Sequence, residues 1–133
     1  KQFDSIINAR PDAGDLEGTS GKDAFIFALS DGLSQKESAR IHNFNPEDGD
    51  QLLFLDNAFK GLISKNLKLV DTQKELNIAL TSNIGLIFHQ GTGELFYNAN
   101  ERENGFGKGG LIATLEGVNN LDSNNINFFY SHV

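Results

Sequence analysis

Residues 84–115 read IGLIFHQGTGELFYNANERENGFGKGGLIATL, and this stretch decides the fold class. Residues 85–90 are apolar and partly alternating, as expected of a strand. Gly91-Thr92-Gly93 is a three-residue connector whose glycines tolerate the positive φ that a tight hairpin demands. Residues 94–98 (ELFYN) return, residues 98–110 carry the Asn, Glu and Gly of an extended turn, and residues 111–115 resume the sheet. The expectation is an antiparallel hairpin of 84–90 with 94–98, followed by a third strand.

Outward from this hairpin the same alphabet repeats. Residues 24–29 read as a strand, 30–38 as a polar loop around Asp31-Gly32, and 40–44 and 51–55 as strands joined by Asn45-Pro46-Glu47-Asp48-Gly49-Asp50. Pro46 presets φ for the first turn position and Gly49 supplies the left-handed one. Four successive apolar residues at 52–55 predict a strand buried on both faces. Residues 66–70 alternate as another strand, and 126–130 form the last. Residues 72–82 are the one helical segment, about three turns long, with Thr72 and Glu75 at capping-box spacing and Leu76, Ala79 and Leu80 on one face. The sum is an all-β chain, β-roll or β-sandwich-like, with seven or eight short strands and one short helix. Phe25, Phe27, Phe44, Phe54, Phe88 and Leu115 are its expected core.

Residues 1–20 lack an amphipathic pattern, but Ile7, Leu16 and Phe25 lie nine apart. Nine residues make one half-turn of a parallel β-roll, each half-turn sending one apolar side chain inward. Residues 1–20 are therefore either a remnant of β-roll repeats or an irregular arm.

The chain has 133 residues, enough for one domain with a single continuous core. Eleven Phe, fourteen Gly and two Pro suit sheets joined by glycine turns. With no Cys there is no disulfide framework, thiol nucleophile or thiolate metal site. A net charge of −7 without a Lys/Arg cluster argues against nucleic acid and anionic lipid as partners. No apolar run approaches the ~20 residues that span a bilayer, so membrane insertion is not expected. Lys1 is not an initiator Met and no signal peptide opens the chain, which reads as the end of a longer protein or as a processed product.

The order "apolar strand, TG, LFYN, Asn-Gly, GFGKGG, AxL" resembles the carboxy-terminal domain of secreted bacterial repeats-in-toxin proteins, the hemolysin-type, serralysin-like group. Gly18-Thr19-Ser20-Gly21-Lys22-Asp23-Ala24-Phe25 resembles the last copy of their calcium-binding nonapeptide G-G-x-G-x-D-x-U-x, with U a large apolar residue. RIHNFNPEDGDQLLFL (40–55) resembles the strand, acidic turn and strand that follow the repeats, and LEGVNNLDSNNINFF (115–129) the closing segment. Together these cover most of residues 18–129. The chain departs from the pattern at Thr19, where the nonapeptide has its second glycine, and at Asn98 and Asn100, where the family has aspartates.

The resemblance implies a metal role for Asp23 with the carbonyls of Gly18 and Gly21, Ca2+ being the ion. Hard Ca2+ takes six to eight oxygens, and Asp4, Asp12 or Asp15 would have to supply more. A degenerate capping turn without an ion is the alternative. Asp48 and Asp50 have D-x-D spacing in the densest acidic turn, which either wraps a cation or is a solvated turn whose Asn and Asp cap their own backbone. It lacks the remaining oxygens and the terminal Glu of an EF-hand. His42, His89 and His132 share no metal-ligand spacing, no G-x-S-x-G elbow exists, and Gly105, Gly107, Gly109 and Gly110 lack the G-K-[ST] of a phosphate loop. Those glycines read as a turn that lets Phe106 fold inward.

The resemblance therefore implies no enzyme, but a secreted, extracellular, monomeric carboxy-terminal module that caps a calcium-binding repeat stack and carries the signal read by a type I secretion apparatus. The alternative is an adhesive or carbohydrate-binding β-sandwich with Tyr97, Phe106 and Tyr130 as contact residues.

Overall fold

Short runs of three to six residues, most of them rich in Phe, Leu and Ile, form the strands, and turns rich in glycine, asparagine and aspartate separate many of them. The computed structural model of the chain describes residues 3–9, 15–27, 39–55, 59, 67–80, 85–98 and 110–129. Among these are ten strands: β1 Ser5–Asn8, β2 Asp15–Glu17, β3 Asp23–Phe27, β4 Ala39–His42, β5 Gln51–Leu55, β6 Leu67–Val70, β7 Leu86–His89, β8 Glu94–Tyr97, β9 Gly110–Leu115 and β10 Ile126–Phe129. One helix, α1 (Gln73–Ala79), and two single 3-10 turns, Pro46–Asp48 and Ser123–Asn125, complete them. The protein is predominantly β, in two sheets.

The first sheet runs β1-β3-β5-β10 with every pair parallel, and the second runs β2-β4-β9-β8-β7-β6. From β1 to β5 successive strands alternate between the two sheets. The register Ser5↔Asp23 sets β3 eighteen positions after β1, and Ala24↔Gln51 sets β5 twenty-seven positions after β3. Ile7 and Phe25 are register partners, Leu16 lies on β2, and all three pack into the same apolar cluster. The nine-residue spacing thus marks two real strands, and the expected seven or eight strands become ten among the described residues. β1 (SIIN) and β2 (DLE) are too short to show a period, and Ile6 of β1 is 65% exposed, so alternation alone does not reveal them.

The hairpin is as expected. β7 and β8 pair antiparallel from Leu86↔Tyr97 to His89↔Glu94, and β9 joins antiparallel on the far side of β8. Its connector is four residues, 90–93, and only Gly93 takes a positive φ, 78°, its amide donating to the His89 carbonyl at 2.8 Å. A Cβ on Gly93 would stand 2.3 Å from the Leu115 carbonyl oxygen, so this position needs glycine twice over. On β9 the register jumps from Ala113 opposite Leu95 to Leu111 opposite Phe96, which leaves Ile112 as the extra residue of a bulge. The bulge lets Leu111 face the helix while Ile112, Ala113 and Leu115 all enter the main core.

That core lies between the sheets. Phe25, Phe27, Phe44, Phe54, Phe88 and Leu115 are all buried. Phe27 stacks on Phe54 at 5.1 Å between ring centroids, and Phe59 bridges from Phe54 to Tyr97 of the second sheet at 5.0 Å on each side. Edge and offset ring contacts of this kind add to simple burial. β5 corrects the expectation of a strand covered on both faces: Leu52 and Phe54 are buried, whereas Leu53 and Leu55 are half-buried.

Helix α1 covers the outer face of the second sheet, where Leu76, Ala79 and Leu80 meet Val70, Ile87, Phe96 and Leu111. It is seven residues long rather than three turns. The Thr72 hydroxyl accepts from the Glu75 amide at 3.1 Å, but Glu75 reaches one residue further back than a capping box requires, to the Asp71 amide at 2.7 Å.

Candidate functional site

The polar residues singled out in the sequence gather where the parallel strands of the first sheet begin. The registers place Asp23 opposite Asp50, with Asp4 and Asn125 within one position of the same rung. Asp23 and Asp50 are both fully buried, at 0% exposure, which is unusual for carboxylates and demands partners.

Those partners are all donors. Asp23 accepts from the Thr19 amide at Oδ2 and from the Thr19 hydroxyl at Oδ1, both at 2.7 Å. Asp50 accepts from the Asp23 amide at Oδ1 and from the Asn45 amide at Oδ2, both at 2.8 Å. Asp4 accepts from the Lys22 amide at 2.9 Å. Asn125 donates through Nδ2 to the carbonyls of Asp50 and Pro46, at 3.1 and 3.2 Å, and accepts from the Asp122 amide. The start of β3 is therefore clamped from both neighbours, by Asp4 at Lys22 and by Asp50 at Asp23.

Burial pushes the Asp50 carboxyl above its ordinary value. The amides of Asn45 and Asp23 pull it back, and the negative charges of Asp23 and Asp48 push it further up.

Gly18 and Gly21 are at this corner for reasons of space. A Cβ on Gly18 would meet the Asn43 carbonyl oxygen at 2.9 Å and Asp23 Oδ2 at 3.0 Å, and one on Gly21 would lie 2.2 Å from Asp4 Oδ2. Both glycines let a carboxylate close onto the backbone. Asp48 is brought near but not in: it is exposed on the Pro46–Asp48 turn while Asp50 is buried. Within that turn Asn45 caps, its side chain accepting from the Glu47 amide at 3.0 Å, and Gly49 takes φ 87° as expected. Of the further oxygens considered, Asp15 is exposed, 3.6 Å from His42 Nε2, and Asp12 lies outside the described residues. Among the described residues no three His, Cys, Asp or Glu side chains are grouped to hold a metal ion.

Beside this corner an open cleft of about 520 Å3 runs between the turns, lined by Thr19, Ser20, Asn43, Asn45, Asp48 and Glu116 among others. Glu116 is ion-paired with Arg40, and Asn43 donates to Glu17 at 2.6 Å. The His89 ring accepts from the Gly91 amide at 3.2 Å. Tyr97, an exposed contact residue in the alternative binding-sandwich reading, is buried at 4% because its ring closes the Phe27–Phe54–Phe59 row. Phe106, Tyr130, His132, Asn100 and the 101–109 turn lie outside the described residues.

Sequence reasoning missed Thr19 as a partner of Asp23, Asp50 as its counterpart one strand on, and Asn125. A signal was present: Asp23-Ala24-Phe25 and Asp50-Gln51-Leu52 share the order Asp, any residue, large apolar residue, and Phe25 and Leu52 are register partners.

Among the described residues no helix is long and apolar enough to cross a membrane. No family model, curated protein or solved structure matches the chain.

Proposed function

We propose that this chain is a non-catalytic module that closes the carboxy-terminal end of a parallel β-roll repeat stack in an exported protein, and that it carries the signal read by a type I secretion apparatus. One observation carries the reading: in the all-parallel first sheet the first step, Ser5↔Asp23, is eighteen residues with β2 of the other sheet between. Eighteen residues are two nine-residue half-turns, the length of one coil of a roll.

The strand order supports a cap. β1 and β2 are the outermost strands of their sheets at one side, where a preceding coil would add one strand to each. On the other side the second sheet turns antiparallel through β9, β8 and β7, with α1 laid over it, while the first sheet ends at β10, parallel to β5. A repeat array needs such an end, because an open parallel edge templates further pairing. In this reading calcium is held between complete nonapeptide copies stacked beyond β1 and β2, and the protein works as an extracellular monomer.

The test is to place tandem G-G-x-G-x-D-x-U-x copies ahead of Lys1 and follow their calcium-driven folding by circular dichroism. The copies should fold at lower Ca2+ when joined to this chain than alone, because the cap supplies a preformed edge. An identical calcium midpoint in the two proteins would remove the capping function.

A further inference from the structure

We infer that the corner where β3 and β5 begin is held without a metal ion, the Thr19 hydroxyl and three backbone amides standing in for the divalent cation that a nonapeptide turn would recruit. The inference concerns this chain's own residues and does not depend on whether repeats stack beyond β1.

Two fully buried carboxylates on one rung need compensation, from a cation or from hydrogen-bond donors. Here each of the four oxygens faces a donor of the chain at 2.7–2.8 Å. These are the short distances of charge-assisted hydrogen bonds. A calcium cage is built the opposite way, from six to eight oxygens converging on one point. At this corner three amides, those of Thr19, Asn45 and Asp23, direct their positive ends into the space between the carboxylates and their turns. Donors so placed satisfy anions and oppose a cation.

Thr19 is the residue that makes the difference. Its hydroxyl accepts from the Gly21 amide at 3.1 Å and donates to Asp23 Oδ1 at 2.7 Å, so the one hydrogen it owns is directed at the carboxylate. Glycine at position 19, as the repeat pattern has it, would delete this relay and leave Asp23 Oδ1 without it. Asp50 shows the same solution one strand further on, with Asn45 and the longer 3-10 turn in place of Thr19, and with the Asp23 amide as second donor. The departure from the repeat pattern at Thr19 is thus the chemical counterpart of losing the ion.

The experiment is a set of thermal melts of the whole chain in a chelator and in millimolar CaCl2, for the wild type, Thr19→Ser, Thr19→Val and Asp23→Asn. The wild-type curves should superimpose with and without calcium. Thr19→Ser keeps the hydroxyl and should melt near the wild type, whereas Thr19→Val should melt several degrees lower, roughly 3–8 °C for the loss of one such bond in a domain of this size. A calcium-dependent rise in melting temperature that Asp23→Asn abolishes would overturn the inference, as would a Thr19→Val protein as stable as the wild type. Should Thr19→Val fail to fold, the carboxyl carbon resonance of Asp23 in the wild type decides: it should not move on adding CaCl2, and a saturable shift would overturn the inference.

Discussion

The two halves of this molecule solve the same problem with opposite materials. From β6 to β9 the chain is held by apolar side chains on both faces of a sheet, with Phe88, Leu95 and Leu115 toward the other sheet and Ile87, Phe96 and Leu111 toward α1. From β1 to β5 it is held on one face by Phe25, Phe27, Leu52 and Phe54, and at the strand starts by buried carboxylates that bind backbone amides. Apolar burial is tolerant of small shifts, because neighbouring side chains can settle into the gap. A buried carboxylate is not, because a donor displaced by an ångström leaves a charge unsatisfied. The first half should therefore be the more sharply specified in register and the second the more forgiving to substitution.

The largest expected effects set a residue between the sheets against one under the helix. Phe54→Ala removes the ring that touches both Phe27 and Phe59, with strands on every side that cannot close in, and should cost about 4 kcal/mol. Leu76→Ala, at the edge of the cluster beneath α1, should cost about 2 kcal/mol, because a seven-residue helix can settle onto the sheet. Denaturant titrations of the two variants make the comparison, and equal losses would mean that the helix is held as rigidly as the sheets.

Next come the glycines of the hairpin. Gly93→Ala combines a positive φ with a Cβ driven into the Leu115 carbonyl, and should cost roughly 2–3 kcal/mol. Gly91→Ala meets the half-buried His89 ring at 3.2 Å and otherwise only the Asp71 carbonyl oxygen at an ordinary 3.7 Å, and should cost under about 1 kcal/mol. A reversed order would mean that the turn takes another conformation in solution.

The contrast between the halves is also a contrast in legibility. β7 and β8 are partners separated by four residues, so their register is written in local spacing, and the sequence identifies both strands and their pairing. Parallel partners are joined across eighteen, twenty-seven and seventy-four positions, from Ser5 to Asp23, Ala24 to Gln51 and Leu52 to Ile126. Nothing within Ser5–Asn8 names Asp23–Phe27 as its neighbour except the nine-residue spacing of Ile7, Leu16 and Phe25. The site divides in the same way. That Gly18, Gly21 and Asp23 form one turn is local and readable. The Asp23 carboxylate faces the Thr19 amide and hydroxyl, which are also local, but that Asp50 takes the Asp23 amide depends on where β5 and its turn arrive, which local sequence does not encode. The D-x-D at 48 and 50 misleads for a related reason: Asp48 ends the 3-10 turn and Gly49 takes a left-handed φ of 87°, and this break in the backbone leaves one aspartate exposed and the other buried.

A smaller effect lies within the second half, where α1 follows β6. Thr72→Ala removes the hydroxyl that accepts from the Glu75 amide and should cost about 1 kcal/mol, read from the midpoint of denaturation. Glu75→Ala should cost less, since the Asp71 amide it serves is exposed and water can take its place.

The smallest expected effect is the most specific to the carboxylate corner. Asp50 has a carboxyl raised above the ordinary 3.8, chiefly by burial, with the amides of Asn45 and Asp23 opposing and the charges of Asp23 and Asp48 reinforcing. In the interval between 3.8 and that raised value the folded chain keeps a proton that the unfolded chain has released. The folded state then binds more protons, so this group's contribution to stability falls as pH rises through the interval and is level above it. The difference between wild type and Asp50→Asn isolates the one group. Asp50→Asn should be less stable throughout, because an amide cannot accept at both positions now filled by the Asp23 and Asn45 amides, but the deficit should widen toward low pH, where the wild type regains its protonated form. Urea titrations at a series of pH values from 3 to 7 measure it. A deficit independent of pH would mean that Asp50 titrates as it does in the unfolded chain, its amide partners balancing its burial, and a deficit that narrows toward low pH would mean that they outweigh it.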